Sequence, residues 1–561
     1  IDIACPADAD CRGGGGASVL KVTQLDVSID PPRVERERYY EGSYVSSRRY
    51  TAEASDLVRV VVQSTTAYQN LYAPELDWFD AWGRKYAPDV IDGQLAAWEA
   101  RQTSAIRATT LSDWLPKAWE KQNGARVEIS PACESYYVPV AGLADYGLTQ
   151  VLGIDMRQPS AAATGVTIVG ATSTVYSNWN RLVLAQPDYR WSSTARDFGM
   201  LTEQRTALHT FELGGATTRY LASGWVPGHL PPHNPQFGID VAADGTVRVA
   251  TTGDVRDDPN AKPSTPAFWA QHPETRVITA RADGTQLREV GRSRDLGLPR
   301  ERVQSARFVG NRAYVVTFLQ TDPLVVVDVA NAASPTVLGE IKIPGFSQYM
   351  HPLDENHLIT VGQSAQRGIQ LQLFDVTNPA SIPAPKVHDF GSGSSSEASY
   401  SHKAFTFYDG ILAVPVSGAW ASQDYRYRYY TSALQLLRVD PQSGFTFLGA
   451  VDHAPLYADN GAGVKCGVCD AVGCYAYACG YAPEVRRGHF VKADAKTYVY
   501  SFSHAGVLVH DLASLVAPLA RVGLPAPQFD YGYGVRTSSG SAGKPVVDLP
   551  AASPTSAPTT R

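Results

Sequence analysis

The sequence predicts an all-β chain, a seven- or eight-bladed β-propeller with a helical insertion, and three observations predict it. First, a hydrophobic-Asp motif recurs: Leu324-Val325-Val326-Val327-Asp328-Val329 with Ser334-Pro335 after it, then Leu371-Gln372-Leu373-Phe374-Asp375-Val376 with Asn378-Pro379. Looser copies end at Asp155, Asp440 and Asp511. Internal repetition of this kind points to a repeat architecture. Second, strand-like runs return about every 8–12 residues from about 130 to 525. Third, turn dipeptides separate them: Asp244-Gly245, Asp283-Gly284, Gly310-Asn311, Asp409-Gly410 and Ser443-Gly444.

Grouped in fours, these strands make units near 147–178, 180–230, 237–292, 303–345, 348–392, 402–453 and 486–525. Each is roughly 40–50 residues, the size of a propeller blade. Residues 18–65 supply about four further strands, with Val58-Arg59-Val60-Val61-Val62 the strongest. Part of them is expected to share a blade with the end of the chain, or to complete one whose upstream strands are missing.

Three stretches depart from the β pattern. Residues 1–17, with Cys5, Cys11 and Gly13 to Gly16, read as an irregular leader. Residues 75–120 read as a helical insertion into a single propeller domain spanning 18–525. Leu76, Phe79, Trp82, Leu95, Trp98 and Ile106 carry helical spacing there, and a capping-type Thr110 and a stop at Pro116 close the stretch. Residues 526–561 are rich in Gly, Ser, Ala, Pro and Thr and read as a linker or tail.

Composition narrows the function classes. Of 561 residues, 29 are Tyr, 47 Gly and 37 Pro, and only 19% are charged, as expected for short strands between tight turns. A net charge of −6 with no basic run argues against nucleic acid. No apolar stretch approaches the roughly 18 residues a membrane helix needs. The chain starts at Ile1 without Met or a charged-then-apolar leader, so it reads as a processed or truncated form. Three Met and seven Cys, mostly clustered, fit an oxidising compartment: secreted, extracellular or cell-surface, with the periplasm as alternative.

Cys466, Cys469, Cys474 and Cys479 lie within 14 residues in an insertion near 455–485. Two disulfides are the preferred reading, with three connectivities open; four thiolates on zinc are the alternative. Cys5 and Cys11 would pair. Cys133 is then the odd one, a buried thiol or a bridge elsewhere. Asp8 and Asp10 alternate like calcium ligands but lack the rest of an EF-hand loop. No cofactor is assigned, calcium and zinc being the only candidates.

In a propeller the first strand of each blade lines the central channel. Arg307, His351, His402 with Lys403, and His489 begin units, and His504 follows the second strand of the last one. Together they would make a cationic ring at the channel mouth, suited to carboxylate or phosphate. The competing reading is that they bond neighbouring blades. A one-residue register slip would turn any of them to the other sheet face. No catalytic residue is assigned, since the chain has no nucleophile elbow; Gly391-Ser392-Gly393-Ser394 reads as a flexible run instead. The alternating Tyr425-Arg426-Tyr427-Arg428-Tyr429 puts Tyr on one face and Arg on the other if extended, a contact surface for protein or carbohydrate.

Longer stretches carry a family resemblance. They are Ser305-Ala306-Arg307-Phe308-Val309-Gly310-Asn311-Arg312-Ala313-Tyr314, Leu338-Gly339-Glu340-Ile341, His351-Pro352-Leu353-Asp354-Glu355-Asn356-His357-Leu358 and Ser401-His402-Lys403-Ala404-Phe405. Gly42-Ser43-Tyr44 and Val226-Pro227-Gly228 add to them. Over about 18–520 the chain resembles a secreted bacterial and archaeal β-propeller family distantly related to WD40 repeats. The resemblance implies a secreted or cell-surface propeller and no established reaction. An acidic Val-Asp-Glu-x-Asp-Ile-Val type segment that usually opens such chains has no match here. Either a longer precursor is cut, or the first blade closes differently. The expected function is a non-catalytic binding or assembly module whose partner is another protein or an extracellular assembly. The alternatives are a lyase or hydrolase on polysaccharide or peptide using the channel-mouth His and Arg, and a metal-binding secreted protein.

Overall fold

The computed structural model describes residues 18–52, 55–64, 88–122, 124–140, 147–191, 201–215, 217–258, 260–261, 265–318, 322–343, 345–421, 428–453, 456, 469–470, 473–474 and 484–524. Its strands form successive units of four or five strands, antiparallel except where Tyr136–Tyr137 joins Thr164–Val169 in parallel, here called blades in chain order. Blade 1 holds Val19–Asp26, Arg33–Glu41, Ala118–Gln122 and Ala125–Glu128. Blade 2 holds Ser43–Ala52, Ser55–Ser64, Leu148–Asp155 and Thr164–Val169. Blade 3 runs from Thr174–Ser177 to Thr217–Pro227 and blade 4 from Ile239–Val241 to Gln286–Arg292. Blade 5 runs from Arg302–Val309 to Thr336–Ile343, and blade 6 from Phe346–Pro352 to Lys386–Ser392. Blade 7 starts at Ser394–Ser395 and Thr406–Tyr408 and ends at Gly444–Asp452; blade 8 runs from Val485–Ala493 to Ala520–Gly523.

Counted as hydrogen-bonded sheets of four or more strands, the described residues hold seven, because blades 3 and 4 are joined into one by the parallel pair Ser223 and Gln286. Counted as packed units they hold eight. Val183, Leu208 and Val226 of blade 3 pack face to face on Val249, Ile278 and Leu287 of blade 4, as separate blades do.

The recurring motif explains its own burial. Leu324 and Val326 face blade 6, against Met350, Leu358 and Phe374. Val325 and Val327 face blade 4, against Ala250, Val277 and Leu296. A third strand packed on both faces must be apolar at every position, which is why the run does not alternate. Each such side chain contributes about 1.5–3 kcal/mol on burial. The Asp that ends the run then turns the chain. Asp155, Asp328, Asp375, Asp440 and Asp511 each accept a hydrogen bond through Oδ1 from the backbone N–H two residues on, at 2.9, 2.8, 3.0, 3.0 and 3.0 Å. These are Asx turns, in which a short carboxylate replaces a backbone acceptor.

Four expectations are corrected. The unit expected at 147–178 does not exist: Leu148–Asp155 pairs with Ser55–Ser64, and Thr174–Ser177 opens blade 3. A long insertion separates the second and third strands of blade 2, so local spacing could not reveal their pairing. For the same reason no described strand of 18–64 shares a blade with the end of the chain; these strands pair with 118–128 and 148–169. Of the stretch read as helical, Pro88–Arg107 is a helix, Ala118–Gln122 is a strand paired to Arg33–Glu41, and 75–87 lie outside the described residues. Gly391 to Ser394 is not a flexible run. Ser394 is buried, donates through Oγ to the Gly391 carbonyl at 2.6 Å and accepts from the Ile369 N–H at 2.8 Å. No helix among the described residues is long and apolar enough to cross a membrane.

Candidate functional site

Between blades 3 and 4 the chain leaves the β pattern for residues 228–238. Pro231, Pro232 and Pro235 remove the N–H groups a strand would need. The segment is pinned at its start, where His229 and Thr252 exchange backbone hydrogen bonds at 2.8 and 2.9 Å. It then crosses to the innermost elements of blades 5, 6 and 7. Asn234 is buried and left-handed, with φ 49°, and its Oδ1 accepts from the His402 N–H at 2.9 Å. The Gln236 amide donates to His402 Nδ1 at 2.9 Å, which leaves the imidazole proton on Nε2. Phe237 is the tip. The Arg307 guanidinium lies 4.2 Å from its ring centre, the His402 ring 5.1 Å away edge-on, and the Tyr349 ring 5.5 Å away. The segment is a plug on the channel axis.

Arg307, His351 and His402 are therefore brought together, on Arg302–Val309, Phe346–Pro352 and the 3-10 turn His402–Ala404. His351 packs 4.9 Å from Phe405 and 5.6 Å from Phe407, and its Nδ1 lies 3.4 Å from the Tyr349 hydroxyl. Burial, with Arg307 adding to it, holds His351 down at about 4. Burial also holds His402 at about 4, reinforced by Arg48, Lys403, Arg307 and Arg487. Those cations come from blades 2, 7, 5 and 8. Burial lowers the Arg307 guanidinium too, and its Nε has no hydrogen-bond partner.

The nearby carboxylates are committed. Asp240 accepts from the Tyr176 hydroxyl at 3.0 Å and pairs with Arg248 at 3.2 Å. Glu397 pairs with Arg486 at 2.8 Å and Arg487 at 2.9 Å.

Other expected site residues lie elsewhere. Lys403 is exposed beside His402. His489 is exposed on the first strand of blade 8. His504 sits in an exposed turn, its Nε2 3.2 Å from Arg486 Nη1. Tyr425, Arg426, Tyr427, Cys5, Cys11, Cys466 and Cys479 lie outside the described residues. Arg428 and Tyr429 are in a strand, opposite Ala421 and Trp420. Cys469 and Cys474 are cross-strand neighbours in a two-stranded hairpin. Cys133 is corrected as to burial: among the described residues it is exposed and free, not a buried thiol. Among the described residues no three His, Cys, Asp or Glu side chains converge as a metal site would require.

Sequence reading missed the plug and with it Phe237, Gln236 and Asn234. A signal was present in three prolines within five residues, interrupting an otherwise regular strand rhythm. Arg48 carried no such signal.

Packed four-stranded blades around a filled axis define a β-propeller. The family model described as Beta propeller domain matches residues 6–515, and the chain belongs to that family. It is 42% identical over 91 residues to an uncharacterized protein of Methanocaldococcus jannaschii, covering 16% of this chain and 15% of that one. It is 36% identical over 192 residues to an uncharacterized protein of Archaeoglobus fulgidus, covering 34% and 27%. The matched stretches thus span about a quarter or less of these relatives' own length. Among solved structures it is similar to a mutant apocarotenoid oxygenase of Synechocystis, at 11% identity and TM-score 0.26, covering 50% of this chain and 63% of that one. It is similar also to the WD40 domain of Toxoplasma gondii coronin, at 12% identity and TM-score 0.23, covering 60% and 79%.

Proposed function

We propose that this chain is a secreted or cell-surface, non-catalytic β-propeller that serves as a binding or assembly module. The observation that carries this reading is the filled channel. The axis, where a propeller enzyme would place its reacting groups, holds Phe237 between Arg307 and His402. A general acid or base works best with a pKa near the operating pH. His351 and His402, at about 4 and already contacted by Tyr349 and Gln236, are poorly matched to that task.

The test is to produce the full chain and its His351→Ala, His402→Ala double variant in the native host. Bound partners are recovered after cross-linking, and turnover of polysaccharide and peptide substrates is assayed. A binding module retains the same partner in the double variant and turns nothing over. Turnover by the wild type that the double variant loses would establish an enzyme instead.

A further inference from the structure

We propose that the rim of blades 2 and 3 carries a saccharide-binding platform, on which one pyranose ring of an uncharged glycan stacks on the indole of Trp179. Trp179 is the tip of the hairpin that joins Thr174–Ser177 to Arg181–Trp191 in blade 3, and it is 76% exposed. Hairpin tips favour small polar residues, so a large apolar ring there is not what the turn itself requires. The turn is held without it. Asn178 Oδ1 accepts from the backbone N–H groups of Asn180 at 3.1 Å and Arg181 at 2.8 Å, and its Nδ2 donates to the Val241 carbonyl of blade 4 at 3.3 Å. Tyr50 of blade 2 meets the indole in a T-shaped contact, with ring centres 6.4 Å apart, and leaves most of it in solvent.

A closed chain of contacts surrounds that tip. The Tyr50 hydroxyl hydrogen-bonds Ser177 Oγ, and the Arg59 guanidinium lies 5.0 Å from the Tyr50 ring centre. Arg59 is buried and reaches from blade 2 to the second hairpin of blade 3. It donates there to the carbonyls of Gly215 and, at 3.1 Å, Thr217, and to Thr218 Oγ1 at 3.4 Å. That hairpin returns to the tip through the Leu213 N–H, which donates to the Asn180 carbonyl at 3.0 Å. Exposed Asn180 and Thr217 and half-buried Thr218 therefore border the indole with amide and hydroxyl groups. The ionic side chains nearby are engaged with one another: Arg49 with Asp56 at 2.6 Å, and Arg181 and Arg219 with Glu212 at 3.5 and 3.0 Å.

An indole face within a neutral polar border matches a pyranose ring. The sugar's C–H face meets the negative face of the aromatic quadrupole, and its hydroxyls exchange hydrogen bonds with the border. Size points the same way. The exposed indole offers roughly 200 Å², about a quarter of the ~800 Å² that each partner buries in a standard protein interface. A protein hot spot is ringed by further contacts that exclude water, whereas this border is polar.

This goes beyond the scaffold reading, which stands or falls on turnover and partner recovery; saccharide binding without turnover leaves that reading intact. The experiment is saturation-transfer NMR and calorimetric titration of the full chain with cellohexaose, chitohexaose and mannohexaose. Saturable binding of at least one is expected, with the strongest transfer to ring C–H protons. Trp179→Ala, at an exposed position, should unfold at the wild-type temperature and weaken that binding by about tenfold or more. Trp179→Tyr keeps an aromatic face and should retain part of the affinity. Asn180→Ala should weaken it by about threefold, the scale of one neutral hydrogen bond. Should Trp179→Ala fail to fold, the graded losses in the other two variants carry the test. Absence of saturable binding with all three oligosaccharides, or binding that the folded variants leave unchanged, overturns the proposal. Loss of a recovered protein partner in Trp179→Ala, with no saccharide bound by the wild type, overturns it as well and assigns the tip to a protein interface.

Discussion

Gly339, on the outermost strand of blade 5, lies against the Pro379 carbonyl oxygen of blade 6 so closely that a β-carbon at 339 would overlap it. Gly291 of blade 4 meets blade 5 in the same way: a β-carbon there would stand 2.5 Å from the carbonyls of Ala332 and Ala333. Both glycines follow a bulge, at Val326/Val327 opposite Gly339 and Thr279/Ala280 opposite Gly291. In each case the contact is the turn that the motif Asp initiates. The repeat therefore does two things: it builds a two-faced apolar strand, and it docks its turn on the preceding blade.

Gly339→Ala should accordingly destabilise the protein by about 2–4 kcal/mol, since backbone faces backbone and neither side can yield. Gly93→Ala is the contrast. It sits inside the helix Pro88–Arg107 with open space around it, and should stabilise by about 0.5–1 kcal/mol. Urea unfolding of the two variants checks both signs.

Phe237→Ala should cost about 2–4 kcal/mol, because it removes the plug tip from the core shared by blades 6 and 7 and leaves Arg307 without its aromatic face. Hydrogen exchange should show the loss of protection first at Arg302–Val309 and Phe346–Pro352, the strands that pack on the tip.

Stability should fall on mild acidification. His351 and His402 are held at about 4 against an ordinary 6.5, chiefly by burial, so the folded state takes up these protons later than the unfolded chain. Their contribution is complete above about pH 6.5 and is lost as pH falls toward 4. Buried His209 and His453, also at about 4, act in the same sense. Urea midpoints should decline across this window, and a His351→Gln, His402→Gln variant should show a shallower decline. The motif carboxylates Asp375, Asp440 and Asp511 are lowered by the hydrogen bonds of their turns. Their stabilisation is present above the ordinary carboxylate value near 3.8 and is lost only below it, so the two effects separate along the pH axis.

Cys133 should react with a thiol reagent in the folded protein. Cys133→Ser should shift stability by less than about 0.5 kcal/mol, as expected at an exposed site. In that variant, two disulfides in the 466–479 insertion predict no titratable thiol there before reduction. Four thiols titrating only after chelation would assign zinc to the insertion instead.

The central repeats were legible because their determinants are local. Strand spacing, turn dipeptides and the Asp that caps the third strand each act within a few residues, and Asp328 and Asp375 make the turns their neighbours demand. Even the glycine contact left a trace, in Val290-Gly291 and Leu338-Gly339 at matching offsets. Blades 1 and 2 were not legible. Val60 pairs with Leu152 across an insertion of about eighty residues, and no local pattern records which distant strand a given one will join.

The same division runs through the site. Sequence alone determined that Arg307, His351 and His402 stand at the start of their blades, because a blade's first strand follows directly from its turn. Only the tertiary structure decided that residues 228–238 would fill the axis between them, and that Arg48 from blade 2 would add its charge at His402 in blade 7. Side chains far apart along the chain meet only once the ring of blades exists. The site's charge and accessibility are therefore properties of the closed fold and of no single segment.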